Sequence, residues 1–127
     1  SVPVMIGGSE HEPPQPFLLD KLMEDYYKHY TKQKQVLHPV ILAAEMHERL
    51  VSIHPFIDGN GGTSRLLMNF ILLKNGYTIA NLKGDYDSRM AYYKALGNVQ
   101  ADNNPEPFYH LILDKVKESL EEHLAMV

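Results

Sequence analysis

The twelve-residue stretch from His54 to Arg65 gathers groups suited to work on a phosphorylated substrate. His54 comes directly before Pro55, and a histidine at a helix end can serve as a general base. Asp58, four residues further on, offers hard carboxylate oxygens of the kind that bind Mg²⁺. These residue types at this spacing indicate transfer of a phosphoryl or nucleotidyl group.

The segment Gly59-Asn60-Gly61-Gly62 can adopt backbone angles that turn successive N–H groups towards one anion. It leads into a predicted helix, whose N-terminal dipole also favours phosphate. Arg65 lies in the first turn of that helix and can bind outer phosphate oxygens through two parallel hydrogen bonds. The residues alone support a purely structural interpretation equally well, because glycine-rich helix caps and Asp-Gly turns are common.

The amino-acid composition of the chain excludes several classes of protein. A chain of 127 residues suits one domain, and 44% hydrophobic with 22% charged residues is typical of a globular protein. The net charge of −4 lacks the broad positive field of a nucleic-acid binder, and no apolar run approaches the length of a membrane span. The absence of cysteine excludes disulfides and cysteine-bound zinc, and it favours a cytoplasmic location. We therefore expect binding neither to nucleic acid nor to membranes.

Helices are predicted on both sides of the stretch. Apolar residues at helical spacing from Phe17 predict a first helix, and Pro39 begins a second that ends near His54. Residues 63–74 predict a third helix, apolar nearly all round and therefore central and buried, with Asn75-Gly76 as its stop. The inward face of the second helix is predicted to comprise Val40, Ala43, Ala44, His47, Leu50 and Val51.

Two further helices are predicted towards the C-terminus. Asp85 is a candidate N-cap for a helix to about Ala101, and Pro105 precedes a last helix that ends near Leu124. The residues predicted to face inward from the first of these are Met90, Tyr93, Leu96 and Val99.

The N-terminal residues differ from the rest. Residues 1–6 predict a short strand, and residues 1–16 as a whole are interpreted as a flap and its connector. Residues 17–127 form the predicted helical core. The sequence thus predicts one all-α domain over 1–127 with a short N-terminal strand or β-hairpin. Because the chain begins without methionine, we expect a fragment of a longer protein.

The stretch closely resembles the signature of the Fic family, His-Pro-Phe-x-Asp/Glu-Gly-Asn-Gly-Arg-x-x-Arg. It matches at every defined position except Gly62, where the family has its first arginine. The likeness continues through Val4-Met5-Ile6-Gly7-Gly8, which is similar to the family's β-hairpin flap, and through the helices around the motif. The resemblance implies a compact Fic-type helical domain that transfers AMP from ATP to a Ser, Thr or Tyr hydroxyl of a target protein.

The resemblance also implies a role for each matching residue. His54 would deprotonate the target hydroxyl and Asp58 would hold Mg²⁺ on the phosphates. The amides of Gly59, Asn60 and Gly61 would form the anion hole, and Arg65 would bind the γ-phosphate. Two weaker correspondences place Tyr93 and Gln100 beside the adenine. The flap residues Val4, Met5 and Ile6 would pair with a strand of the target protein.

Two departures from the family pattern matter for activity. Gly62 removes a cation directed at the triphosphate, so we expect weak or lost activity with an intact fold. The family's inhibitory helix carries Ser or Thr followed four residues later by Glu, a spacing that occurs nowhere in this sequence. We expect that helix to come from a missing segment or from a partner.

Other readings of the sequence remain open. The first is transfer of another nucleotide or of a phosphate group, because nucleotide selectivity lies outside the motif. The second is a catalytically silent Fic-fold module that binds a peptide strand through the flap, which Gly62 favours. His47 and Tyr92 are interpreted as ordinary packing residues.

Overall fold

The structure, a computed structural model, describes residues 18–53, 60–82 and 84–126, with Asn60 described by its backbone alone. Within these ranges the chain is all-helical and contains no strand. The predicted flap at Val4, Met5 and Ile6 lies outside the described residues. The helices are α1 (Leu19–Gln33), α2 (Pro39–Ile53), α3 (Asn60–Lys74), α4 (Tyr86–Asp102) and α5 (Glu106–Ala125).

Helix α2 is the centre of the packing, because it lies against each of the other four helices. All six residues predicted to face inward from this helix are buried, which confirms the prediction. Pro39 is its first residue, where a proline costs no intrahelical hydrogen bond. On one side the Tyr26 hydroxyl of α1 donates a hydrogen bond of 2.7 Å to the Met46 carbonyl. Helix α2 ends at Ile53, the residue directly before His54.

Helix α3 begins at Asn60, three residues earlier than predicted. Gly61 and Gly62 are therefore in the first helical turn and not in a loop. Among the described glycines only Gly76 has a positive φ, at 85°, so Gly61 and Gly62 keep ordinary helical backbone angles. The amides at these two positions belong to a helix N-terminus, which leaves its first N–H groups without intrahelical partners. Gly76 ends the helix as predicted.

The prediction that α3 is buried all round is wrong. Met68, Ile71 and Leu72 are buried against the core, whereas Leu66, Phe70 and Leu73 are 73%, 61% and 59% exposed. The three exposed residues share one face of the helix, because they are separated by four and three positions. Nothing in the described part of the chain covers this face.

Helix α4 begins as predicted but presents a different face. Asp85 caps it by accepting a hydrogen bond of 2.8 Å from the Ser88 amide. Leu96 and Val99 are buried as predicted, whereas Met90 and Tyr93 are each 40% exposed. The buried aromatic residue is Tyr92, which is 5% exposed and packs beside Phe108 of α5. No helix in the described ranges is both long and apolar enough to cross a membrane.

Candidate functional site

The N-terminus of α3 is the structural centre of the candidate site. Its first turn contains no acidic side chain. An acidic side chain would satisfy the positive end of the helix dipole internally, so its absence leaves that end available to an external anion. The turn therefore suits phosphate electrostatically.

Arg65 folds back across this first turn. A Cβ atom added at Gly61 would lie 3.2 Å from Nη1 of Arg65, closer than such atoms normally come. A Cβ atom at Gly62 would lie 3.9 Å from Nη2, an ordinary contact distance. Glycine at position 61 thus makes room for the guanidinium, whereas a side chain at position 62 meets no steric obstacle. The Arg65 guanidinium thus lies beside Gly61 and Gly62, and binding of phosphate by these residues stays a prediction.

Gln100 lines a cleft of about 550 Å³ formed by α1, α2, α4 and the start of α5. Both polar atoms of its amide are buried and have no hydrogen-bond partner among the described residues. A buried amide without a partner costs free energy, on the order of 1–3 kcal/mol. Ser52 and Ile53 line the same cleft, and they directly precede His54 in the chain. The described residues of the motif, 60–65, do not line this cleft.

Tyr93 is not among the residues that line the cleft. It lies about two helical turns before Gln100 on the same face of α4, and it is 40% exposed. Between them Gly97 leaves open space, since a Cβ atom added there would meet nothing within 4 Å. This face of α4 has an exposed aromatic ring at one end and an unpaired amide at the other.

The remaining predicted site residues lie outside the described residues. They are His54, Asp58 and Gly59, together with the side chain of Asn60. The described ranges contain no group of three His, Asp or Glu side chains arranged to hold a metal ion. The predicted Mg²⁺ ligand, Asp58, is thus neither placed nor contradicted.

Glu48 lines the cleft as a largely buried carboxyl group, 8% exposed. Burial raises its pKa to about 7, and the neighbouring Glu45 acts in the same direction, while the Arg49 charge opposes both. The Arg49 Nε atom is 4.0 Å from Glu48 Oε1, at the limit of an ion pair. Glu45 is occupied elsewhere, since it contacts His29 and accepts a hydrogen bond from the Tyr109 hydroxyl.

Glu48→Gln is expected to change how stability depends on pH. The folded protein holds the Glu48 proton up to about pH 7, whereas an unfolded chain releases it near 4.5. The folded state therefore binds more protons between these values, and the free energy of unfolding falls as the pH rises through this window. The free energy of unfolding lost in this way is up to about 3 kcal/mol at pH 8, and Glu48→Gln should prevent this loss.

Urea unfolding at pH 4.5 and pH 8 measures this effect. Glu48→Gln should match the unchanged chain at the lower pH and exceed it at the higher pH. The matched control is Glu122→Gln, a substitution at an exposed glutamate of α5 that should not separate the two curves. Equal stability of Glu48→Gln and the unchanged chain at pH 8 would show that burial does not raise the pKa of the Glu48 carboxyl.

Sequence reasoning missed one feature of the site, a buried polar pair behind Arg65. His47 is confirmed as a core residue with no exposed surface, but its Nε2 atom lies 2.7 Å from the Tyr92 hydroxyl. Burial raises the pKa of Tyr92 to about 12, and the charge of Arg65 opposes that shift. A histidine on an otherwise apolar helix face was the available signal, because a buried imidazole requires a polar partner.

Comparisons of this chain with protein families, curated relatives and solved structures agree with one another. The Fic/DOC family profile matches residues 2–72, more than half of the chain. The "Protein adenylyltransferase Fic" of Drosophila grimshawi is 40% identical over 123 residues, which cover 95% of this chain and 24% of that protein. This chain thus spans about a quarter of the length of such curated relatives.

Solved structures show the same fold. Fic-1 from C. elegans superposes with a TM-score of 0.77 at 25% identity, over 98% of this chain and 37% of that one. A Fic-domain-containing signalling protein from Bacteroides thetaiotaomicron gives a TM-score of 0.67 at 30% identity, over 91% of this chain and 46% of that one. With its family profile, its relatives and its fold in agreement, this chain belongs to the Fic/DOC family.

Proposed function

We propose that this chain is a protein adenylyltransferase domain, which moves AMP from ATP to a hydroxyl of a target protein. The observation that carries the proposal is the first turn of α3. There Arg65 folds back over a helix start whose first N–H groups have no intrahelical partner, in a helix that carries no acidic side chain. Relatives at 38–40% identity are named protein adenylyltransferases, which supports nucleotidyl transfer over other phosphate chemistry.

The cleft beside α4 supports adenine as the base. Gln100 carries one donor and one acceptor group, both buried and unpaired. An amide of this kind can pair with the adjacent amino group and ring nitrogen of adenine. The open space at Gly97 leaves room for a flat ring between Gln100 and Tyr93. Triphosphate and base would thus contact different helices, α3 and α4.

The family motif assigns the reacting groups. His54 takes the proton of the target hydroxyl as that oxygen attacks the α-phosphorus, and the bond to the pyrophosphate oxygen breaks. Arg65 holds the outer phosphates and the amides at the start of α3 stabilise the negative charge. Asp58 is the residue that would hold Mg²⁺, which neutralises charge on the leaving pyrophosphate.

Gly62 sets the expected level of this activity. The turn has one basic side chain fewer than the family motif, so this chain binds ATP but transfers AMP slowly. Gly62 also favours a second candidate function, a catalytically silent module that binds a peptide strand. In both cases the partner is a protein strand paired with Val4, Met5 and Ile6, and an inhibitory helix would come from another segment or another protein.

The test of the proposed function is a titration with Mg-ATP followed by NMR of backbone and side-chain N–H groups. The amide signals of Gly61, Gly62 and Arg65 should shift on binding, together with the side-chain amide of Gln100. Mg-AMP lacks the β- and γ-phosphates, so it should shift Gln100 while leaving Arg65 nearly unmoved. If saturating Mg-ATP moves none of these signals, the chain has no nucleotide site at α3 and the proposal fails.

A further inference from the structure

The described residues leave one buried carboxyl group without a hydrogen bond in the cleft between α1, α2, α4 and the start of α5. This is Glu48, which lines the cleft and is 8% exposed. The Nε atom of Arg49 is 4.0 Å from Oε1 of Glu48, which is too far for a hydrogen bond. Within the described part of the chain no other donor binds this carboxyl. A buried carboxylate without a partner is costly, so it favours a ligand that carries a positive charge.

The other carboxylates of the cleft already have partners. Asp25 of α1 accepts a hydrogen bond of 3.0 Å from the lysine four residues before it. Glu45 of α2 contacts His29 of α1, and it accepts a hydrogen bond of 3.3 Å from the Tyr109 hydroxyl of α5. Glu48 is therefore the carboxyl group of this cleft that remains open to a ligand.

The cleft as a whole has an excess of acidic groups. Its described lining contains three carboxyl groups and one side chain of the Lys or Arg type, that of Arg49. The Arg49 side chain is 46% exposed, and its Nε atom is also 3.8 Å from Oε1 of Glu45. Helix α4 contributes the uncharged Gln100 and Asn103. A cationic ligand would thus meet negative charge that the described residues only partly neutralise.

The walls of the cleft suit the stem of such a ligand. Leu22, Ile53 and Val99 line it with apolar side chains, against which methylene groups can pack. Tyr26 and Tyr109 line it with aromatic rings, whose faces attract cations. Both tyrosine hydroxyls donate hydrogen bonds to α2, which restricts the two rings. The volume of about 550 Å³ is in the usual range for small-molecule sites.

A guanidinium group fits these features better than an ammonium group does. Its planar fork binds a carboxylate through two parallel hydrogen bonds and stacks on aromatic rings. It is also more weakly hydrated, so transfer into a largely buried site costs less free energy.

We propose that this cleft binds an alkylguanidinium group, the chemistry of an arginine side chain, with the Glu48 carboxylate as the acceptor of its fork. The inference goes beyond the proposed function and does not depend on it. It does not require Gln100, which the proposed function assigns to adenine.

Binding should depend on pH, because the guanidinium pairs with the ionised carboxylate. Burial raises the pKa of Glu48 to about 7, Glu45 acts in the same direction, and the Arg49 charge opposes both. A ligand that binds at neutral pH therefore displaces the Glu48 proton. The affinity should fall about tenfold for each pH unit below 7 and level off above pH 8. His29→Gln keeps a donor towards Glu45, so it should preserve this dependence.

Calorimetry with butylguanidinium at pH 8 tests the proposal. Butylurea has the same shape without the charge and should bind at least about tenfold more weakly. Glu48→Gln should weaken butylguanidinium binding by at least about tenfold, and backbone amide spectra check that this variant keeps its fold. Glu122→Gln, at an exposed glutamate of α5, is the matched control and should bind as the unchanged chain does.

NMR locates the bound probe, and a peptide identifies its source. Butylguanidinium should shift the amide signals of Val99 and Asn103 and leave those of Gly61 and Gly62 unmoved. The peptide acetyl-Gly-Arg-Gly-amide should bind at least as tightly if the natural ligand is an arginine side chain of a protein, and more weakly if it is a free guanidine compound. The proposal is overturned if butylguanidinium does not bind, if butylurea binds equally well, or if a folded Glu48→Gln retains full affinity.

Discussion

Gly62→Arg should raise the rate of AMP transfer by roughly 100- to 1,000-fold over the unchanged chain. That range corresponds to about 2.7–4 kcal/mol, the typical value of one donor directed at charge that develops in a transition state. Negative charge grows on the pyrophosphate as the bond to the α-phosphorus breaks. A second guanidinium at the start of α3 therefore acts mainly on the rate of transfer rather than on ATP binding.

The structure allows this substitution without damage to the fold. Position 62 is exposed, and the nearest side-chain atom to an added Cβ lies at an ordinary 3.9 Å. Replacing glycine within a helix gains up to about 1 kcal/mol, whereas a cation near a helix N-terminus costs about 0.3–1 kcal/mol. These two effects offset one another, so the free energy of unfolding should be nearly unchanged.

The measurement is self-modification or target modification by ATP labelled at the α-phosphate. Gly62→Ala is the matched control, because it gains the same helix propensity without the charge. It should react as slowly as the unchanged chain. The sequence has no Ser or Thr followed four residues later by Glu, so Gly62→Arg should need no further activation. If Gly62→Arg is no faster than Gly62→Ala, position 62 does not limit this chain and the silent binding module becomes the better explanation.

Local sequence signals predicted the helices well. Pro39, Asp85 and Gly76 each act through the backbone of their own segment, and each starts, caps or ends a helix where expected. The sequence predicts the start of α3 three residues too late, because paired glycines are typical of loops. Gly61 has a different reason to be glycine, since it leaves room for the Arg65 side chain.

The buried faces of the helices were harder to predict than the helices themselves. The apolar residues Leu66, Phe70 and Leu73 were expected to be buried, yet no described helix packs against them. Tyr92 and Tyr93 are adjacent in sequence, and only the tertiary position of α4 decides which of them turns inward. Burial depends on partners that are distant in the chain, so periodicity alone cannot identify the buried side.

For the candidate site, too, local sequence signals were easier to interpret than contacts between residues that are distant in the chain. The motif and its spacing predict a phosphate-binding turn at the start of α3, and this stays a prediction; Gln100 lines a cleft formed by α1, α2, α4 and the start of α5. The hydrogen bond between His47 and Tyr92 joins two separate helices, and a single sequence holds no record of such a contact.

His54→Ala should abolish transfer altogether when it is introduced together with Gly62→Arg. In the proposed mechanism His54 accepts the proton of the attacking hydroxyl, whereas the start of α3 binds the phosphates. Loss of the imidazole therefore removes the base while ATP still binds. We expect a fall of at least about 100-fold in rate, in the range of general-base catalysis, with an unchanged dissociation constant for Mg-ATP. His110→Ala, at an exposed histidine of α5, is the matched control and should keep full activity.

ATP labelled either at the α-phosphate or at the γ-phosphate distinguishes AMP transfer from phosphoryl transfer. Protein of the Gly62→Arg form should take up the α-label and none of the γ-label, and the added His54→Ala substitution should remove the α-label. Uptake of the γ-label would show phosphoryl transfer in place of AMP transfer. Equal α-labelling with and without His54 would contradict the assignment of this motif as the catalytic site.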